Sequence, residues 1–334
     1  MNNKTRIRYL DTLKLLAIFI VFATHFINRF NEDYFQLWHK APTSWVLNGV
    51  TGKLGVAFFA VILGYFAYRS KEPDVTKYVI KRYIYFFLCG LFINSIYAAF
   101  GSAGIFDDTY SVKEVLTVSL TLGAGIFRTF WCIRPFFIAS ILSKLNGKAG
   151  AGPFTVLVEM LIMFQIMGDV WVSICLIGNL VAIAMSNEKF MSIFRHVWVR
   201  WPAYLAVFFL IKRPESWQTY LIDGICASLM ILALSESRWL RKVLDWEPLA
   251  VQGKNTMAMY LVHVVVYRLA GAAAGLGSDS SAALFVMIMI VSWALVVALS
   301  FPLTKLLDVL TKLCMKPVEG IMGSFHRFFE TEKV

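Results

Sequence analysis

YLDTLKLLAIFIVFATHFINRF, from Tyr9 to Phe30, is long enough to cross a bilayer, yet it carries Asp11, Lys14 and His25 among apolar residues. Lys14 and His25 are eleven residues apart. At about 100° per residue this is three turns plus roughly 20°, so the two side chains share one helix face. Asp11 falls within about 40° of the same line. Each ionisable group at the middle of a membrane helix costs about 2.5–3.5 kcal/mol on the insertion scale, so such groups mark polar interiors and pathways. The run therefore reads as a membrane helix lining a polar groove, with His25 as its reactive group. Asp11 lies close enough to the cytoplasmic end to be wet, and pairing with Lys14 one turn away lowers the cost of burying either charge.

The rest of the chain supports a membrane class. Of 334 residues, 58% are hydrophobic and 16% charged, and the mean hydropathy is +0.66. Soluble domains carry nearer a quarter charged residues. The net charge of +11 does not indicate a nucleic-acid partner, because the cations cluster in short connections between apolar runs, the pattern that orients membrane proteins. Cys89, Cys132, Cys175, Cys226 and Cys314 have no metal-ligand spacing, and four of them read as small buried hydrophobes. The first apolar run lacks a small-residue cleavage site and is read as a retained span.

Ten segments are apolar enough to span: 10–29, 51–68, 79–100, 127–145, 153–168, 170–186, 197–211, 219–235, 256–274 and 282–307. Alternate connections carry the cations: Lys4, Arg6 and Arg8; Arg69, Lys71, Lys77, Lys81 and Arg82; Lys144 and Lys148; Lys189, Arg195 and Arg200; Arg238, Arg241 and Lys242; and the tail after Lys312. The expectation is an all-α polytopic membrane protein of about ten transmembrane helices with both termini cytoplasmic, in the cell membrane. Loop 212–218, with Lys212 and Arg213, fits this pattern least well. Residues 111–127, if counted as a span, would invert every later loop. They are placed as a re-entrant or extracytoplasmic helix, either a lid or a plain surface helix. Residues 312–334 read as a cytoplasmic amphipathic tail, and residues 1–334 as one membrane-embedded domain.

Several blocks together carry a resemblance. Leu10, Asp11, Leu13, Lys14, Ala17 and His25 open the chain. Gly55-Val-Ala-Phe58-Phe59-Ala-Val-Ile-Leu63-Gly64-Tyr65 follows, then the basic Lys77-Tyr-Val-Ile-Lys81-Arg82. Gly253-Lys-Asn255-Thr256-Met-Ala-Met-Tyr260-Leu261-Val-His263 stands near the C-terminus. In spacing and order these resemble the acyltransferase-3 family of membrane acyltransferases from end to end. The chain departs from the family pattern at Leu63, where a serine is usual, and at Tyr85, where a second arginine is usual.

The resemblance implies acyl transfer from a cytoplasmic acyl-CoA, acetyl-CoA as the expected co-substrate, to a hydroxyl of a cell-envelope glycan or small-molecule acceptor. It implies a catalytic set of His25, Lys14 and Asp11. Arg69, Lys77, Lys81 and Arg82 would meet the phosphates of the donor, although positive-inside topology alone accounts for such cations. Trp131, Arg134, Asn255, Tyr260 and His263 would line the acceptor side. Arg134 with Asp223 reads either as a structural pair or as part of acceptor binding, and Glu159 is a further charge within an apolar run. A neutral imidazole near pH 7 suits general-base attack on a thioester, and equally a covalent acyl-imidazole route. No metal-ligand cluster or nucleotide loop is present in the sequence, so no metal is expected. The competing readings are a transporter or flippase of a glycan precursor or small molecule, and an acyltransferase-like protein without activity.

Overall fold

A computed structural model describes residues 7–30, 52–103, 110–123, 131–168, 170–209, 216–276 and 280–331. Among them there is no strand. Fourteen α-helices run in order: α1 Arg8–Phe30, α2 Gly52–Tyr68, α3 Val75–Ser102, α4 Val112–Leu120, α5 Ile133–Ala149, α6 Pro153–Met167, α7 Val170–Ser186, α8 Glu188–Phe194, α9 Val197–Phe209, α10 Trp217–Ser235, α11 Arg238–Leu244, α12 Glu247–Gln252, α13 Thr256–Ala273 and α14 Ala282–Thr331. A 3₁₀ turn, Gly253–Asn255, links α12 to α13.

Each of the ten apolar segments read from the sequence overlaps one of these helices; most ends differ by a few residues, but 127–145 begins outside the described residues and 282–307 is part of a helix that runs on to Thr331. Arg8–Ile27, Val75–Ser102, Trp217–Ser235, Glu247–Ala273 and Ala282–Met322 are by themselves long and apolar enough to cross a membrane. Val170–Ser186 and Glu188–Phe194, bent by 97° at their junction, add a sixth if counted as one span. Lys53–Tyr68 and Pro153–Ile166 are shorter apolar helices. The chain is a multi-pass membrane protein. Lys4, Arg6, Lys212, Arg213 and residues 124–127 lie outside the described residues.

The helix ends follow local chemistry. Asp74 caps α3 by accepting from the Lys77 amide, Asn187 caps α8 by accepting from Phe190, and Ser216 caps α10 by accepting from Thr219. Gly168 ends α6 in the left-handed conformation (φ 61°), which glycine adopts without Cβ strain. The nine residues of α4 are too short to cross a bilayer. The segment 312–331 continues α14 without a break through Pro317.

The chain forms two compact units, one of Met1–Ser70 and Ile138–Ser300, the other of Lys71–Phe137 and Phe301–Val334. In the first, α1 packs against α2, α12 and α13, while α2 packs against α7 and α10. Several approaches are so close that only glycine fits, among them those at Gly55, Gly64 and Gly253. A Cβ on Gly55 would stand 2.5 Å from the Ala17 carbonyl oxygen; one on Gly64 would overlap the Cys175 carbonyl; one on Gly253 would overlap the backbone of Asp11. Small residues at such crossings let helix backbones touch, which is how bundles gain dispersion energy in lipid. Leu10, Ala17, Ile18 and Phe22 are fully or almost fully buried in this packing. Lys144, read as a loop cation, is instead a buried residue of α5 whose ammonium donates to the Ser70 carbonyl at 2.7 Å. Asn146, one turn away from Gly150, donates to Glu159.

In the second unit α4 lies along α3. The Asn94 amide donates to Ser119 at 3.1 Å and the Tyr83 hydroxyl to the Leu120 carbonyl at 2.7 Å. Phe137 packs edge-on against Tyr83 and Phe86.

Candidate active site

The N-terminal helix does hold Asp11, Lys14 and His25 on one continuous element. The Lys14 ammonium lies 2.7 Å from the Asp11 carboxylate and 5.9 Å from the centre of the Phe66 ring. Asp11 is not wet as expected. It is 6% exposed, because the 3₁₀ turn at Gly253 closes over the backbone of the first turn of α1. Thr12, also buried, donates to the Leu244 carbonyl at 2.6 Å, fastening the same end of the helix. A buried ion pair of this kind holds because each charge compensates the other.

His25 lies about 16 Å further along α1 than Lys14, at 1.5 Å of rise per residue, and is partly buried. Its ring centre is 5.4 Å from that of His263, with the planes at 41°. His263 has no exposed surface. Its Nδ1 lies 2.7 Å from the Tyr260 carbonyl oxygen. Since a carbonyl only accepts, Nδ1 carries the proton and Nε2 the lone pair. Aromatic rings surround the pair: Phe22 and Phe26 of α1 both contact Tyr267 of α13, and Tyr260 and Tyr267 flank His263. Two imidazoles far apart in the chain thus meet in an aromatic, low-dielectric setting, where hydrogen bonds and charges act more strongly than in water.

The other sequence-derived residues are distributed as follows. Asn255 and Tyr260 are each 7% exposed, in the turn and first half of α13. Arg69, just past α2, is exposed, with its guanidinium 5.8 Å from the Tyr65 ring centre. Lys77, Lys81, Arg82, Trp131 and Arg134 belong to the second unit. There Lys77 is ion-paired with Glu319 at 2.7 Å, Lys81 is exposed, and Arg82 lies 5.4 Å over the Tyr78 ring. Trp131 is partly buried ahead of α5 and Arg134 is exposed. Asp223, in the first unit, is 5% exposed. Cys89, Cys132, Cys175 and Cys226 are buried free thiols, and Cys314 is exposed. No group of His, Cys, Asp and Glu suited to a metal ion occurs among the described residues.

One polar cluster escaped sequence reasoning. Lys53, at the start of α2, donates to the Tyr220 hydroxyl and lies 4.5 Å over its ring, while Trp171 stacks on Tyr220 at 5.5 Å. Its only sequence signal was a lysine opening an apolar run, with Tyr220 and Asp223 one turn apart in another.

Helices fastened by glycine crossings around a charge pair and an imidazole pair define a multi-pass helical membrane protein with a chemically equipped interior. Residues 7–304 match the family model described as an acyltransferase domain, and the chain belongs to this acyltransferase-3 family. Neither the curated proteins nor the solved structures give a significant match. Family membership makes the protein a membrane acyltransferase, and the motif glycines Gly55, Gly64 and Gly253 are accounted for by close helix packing.

Proposed function

We propose that the protein is a membrane O-acetyltransferase of the cell membrane. It takes acetyl groups from cytoplasmic acetyl-CoA and places them on a hydroxyl of a cell-envelope or exported glycan. The observation that carries this reading is the placement of His25, partly buried, beside the fully buried His263. Such a setting brings two imidazole rings together, and a neutral imidazole is the side chain suited to taking a proton from a hydroxyl.

In this reading residues 1–334 form one acyltransferase domain of ten spans with both termini cytoplasmic, and His25 lies toward the outer end of α1. The lone pair of His25 takes the proton of the acceptor hydroxyl as its oxygen attacks the thioester carbonyl. The C–O bond forms, the C–S bond breaks, and the departing thiolate takes the proton from the imidazolium. Lys14 and Asp11 line the deeper wall of the groove as a paired charge. Arg69, Lys81 and Arg82 offer cations for phosphates on the cytoplasmic side; Lys77 reaches a phosphate only by leaving Glu319. Asn255 and Tyr260, in the same unit as His25, serve the acceptor side.

The test is His25→Ala in cells, followed by mass analysis of envelope glycans. At normal membrane levels of the variant, one acetyl mass per modified unit should disappear. Full acetyl content with the variant overturns the reading. Purified wild-type protein should release free thiol from acetyl-CoA as water takes the acetyl group in place of the glycan hydroxyl, giving acetate, whereas a transporter releases none.

A further inference from the structure

The Nε2 atom of His263 is buried and has no hydrogen-bond partner among the described residues. Buried polar atoms are almost always satisfied, and an orphan in a native bundle asks for a function. The tautomer is set by the Tyr260 carbonyl, which takes the Nδ1 proton, so the orphan is an acceptor. Its neighbour is the ring of His25.

Among the described residues His25 shares no ion pair or hydrogen bond with a carboxylate that would orient its ring as an aspartate does. A general base needs such a partner: one ring nitrogen must be protonated and held so that the other presents its lone pair to the substrate.

We propose that His263 is the positioning residue of the site: the two rings stand 5.4 Å apart between centres without a hydrogen bond in this structure, and in the substrate-loaded site the Nε2 of His263 accepts the N–H of His25, fixing the tautomer and ring angle in which the other nitrogen of His25 faces the acceptor hydroxyl. With the bond that His263 already makes to the Tyr260 carbonyl, this contact completes a relay of hydrogen bonds alone. No net charge is buried, in keeping with the aromatic surroundings. The proposal rests on the reading of His25 as the base.

The experiment compares His263→Gln with His263→Asn in the purified full-length protein, following thiol release from acetyl-CoA. Glutamine places its amide where Nε2 stands, and asparagine places it where Nδ1 stands. The glutamine variant should keep kcat within about threefold of the wild type, whereas the asparagine variant should lose about 10–100-fold, the range typical of removing an orienting partner. KM for acetyl-CoA should be unchanged in both. Equal kcat in the two variants, whether both active or both inactive, overturns the proposal. His25→Ala is the separate control: if it retains full thiol release, the base assignment itself fails; if it is inactive while the two His263 variants match, only the role of His263 fails.

Discussion

Gly64 of α2 and Gly178 of α7 face each other where the two helices cross: a Cβ on Gly64 would overlap the Cys175 carbonyl, and one on Gly178 the Val61 carbonyl. The obstacles are backbone atoms, which cannot move aside as a flexible side chain does. Gly64→Ala or Gly178→Ala should each cost at least about 1–3 kcal/mol, read as lost membrane accumulation and a lower melting temperature in detergent. Once one substitution has parted the helices the second has less to disturb. The double variant should therefore fall short of the sum of the singles.

The Lys14–Asp11 pair makes a different prediction. Removing one partner leaves a buried, uncompensated charge, which typically costs about 3–5 kcal/mol. Lys14→Met should destabilise the protein more than Lys14→Met combined with Asp11→Asn, in which neither charge remains. Thermal unfolding of the three proteins in the same detergent decides it. A double variant no more stable than the single would show that the pair is not what holds the start of α1.

Tyr220 joins three interactions: a hydrogen bond from Lys53, a cation over its ring and the Trp171 stack. Tyr220→Phe keeps the ring and should cost about 1 kcal/mol. Tyr220→Leu removes all three and should cost clearly more. The ordering Leu below Phe below wild type in stability is the expected outcome, and Trp171 fluorescence should change in the Leu variant.

The start of α4 carries a pH dependence. The Ser111 amide and hydroxyl both donate to the Glu114 carboxylate, which holds its pKa below the usual glutamate value. A depressed carboxylate pKa adds stability above the unfolded-state value and loses it as pH falls through the folded one. Amide-exchange protection of Val115–Leu120, corrected for intrinsic rates, should therefore fall on acidification below the ordinary glutamate range. In Glu114→Gln that dependence should vanish. The effect is small because the pair is exposed.

Most of the helix pattern was legible because lipid imposes it. A span needs about 20 apolar residues whatever its neighbours, so α1, α7 and α13 were placed almost to the residue. The exposure of Arg69, Lys71 and Lys81 was also legible, since unpaired cations are costly to bury. What was not legible was depth and partnership. Lys144 reads as a loop cation by position, yet the Ser70 carbonyl draws it inside. Asp11 reads as wet, yet the turn at Gly253 covers it. Lys53 gives almost no signal until α10 brings Tyr220 beside it.

The chain alone determined that this is a helical membrane protein and that Lys14 and His25 share a helix face, because hydropathy and a 100° period are local properties. It also carried the motif order of the family. Only the tertiary structure decided that His25 meets His263, that a carbonyl fixes the tautomer of His263, and that the motif glycines are contact points. Those facts depend on which helices lie side by side, and no local periodicity encodes the neighbour across a crossing.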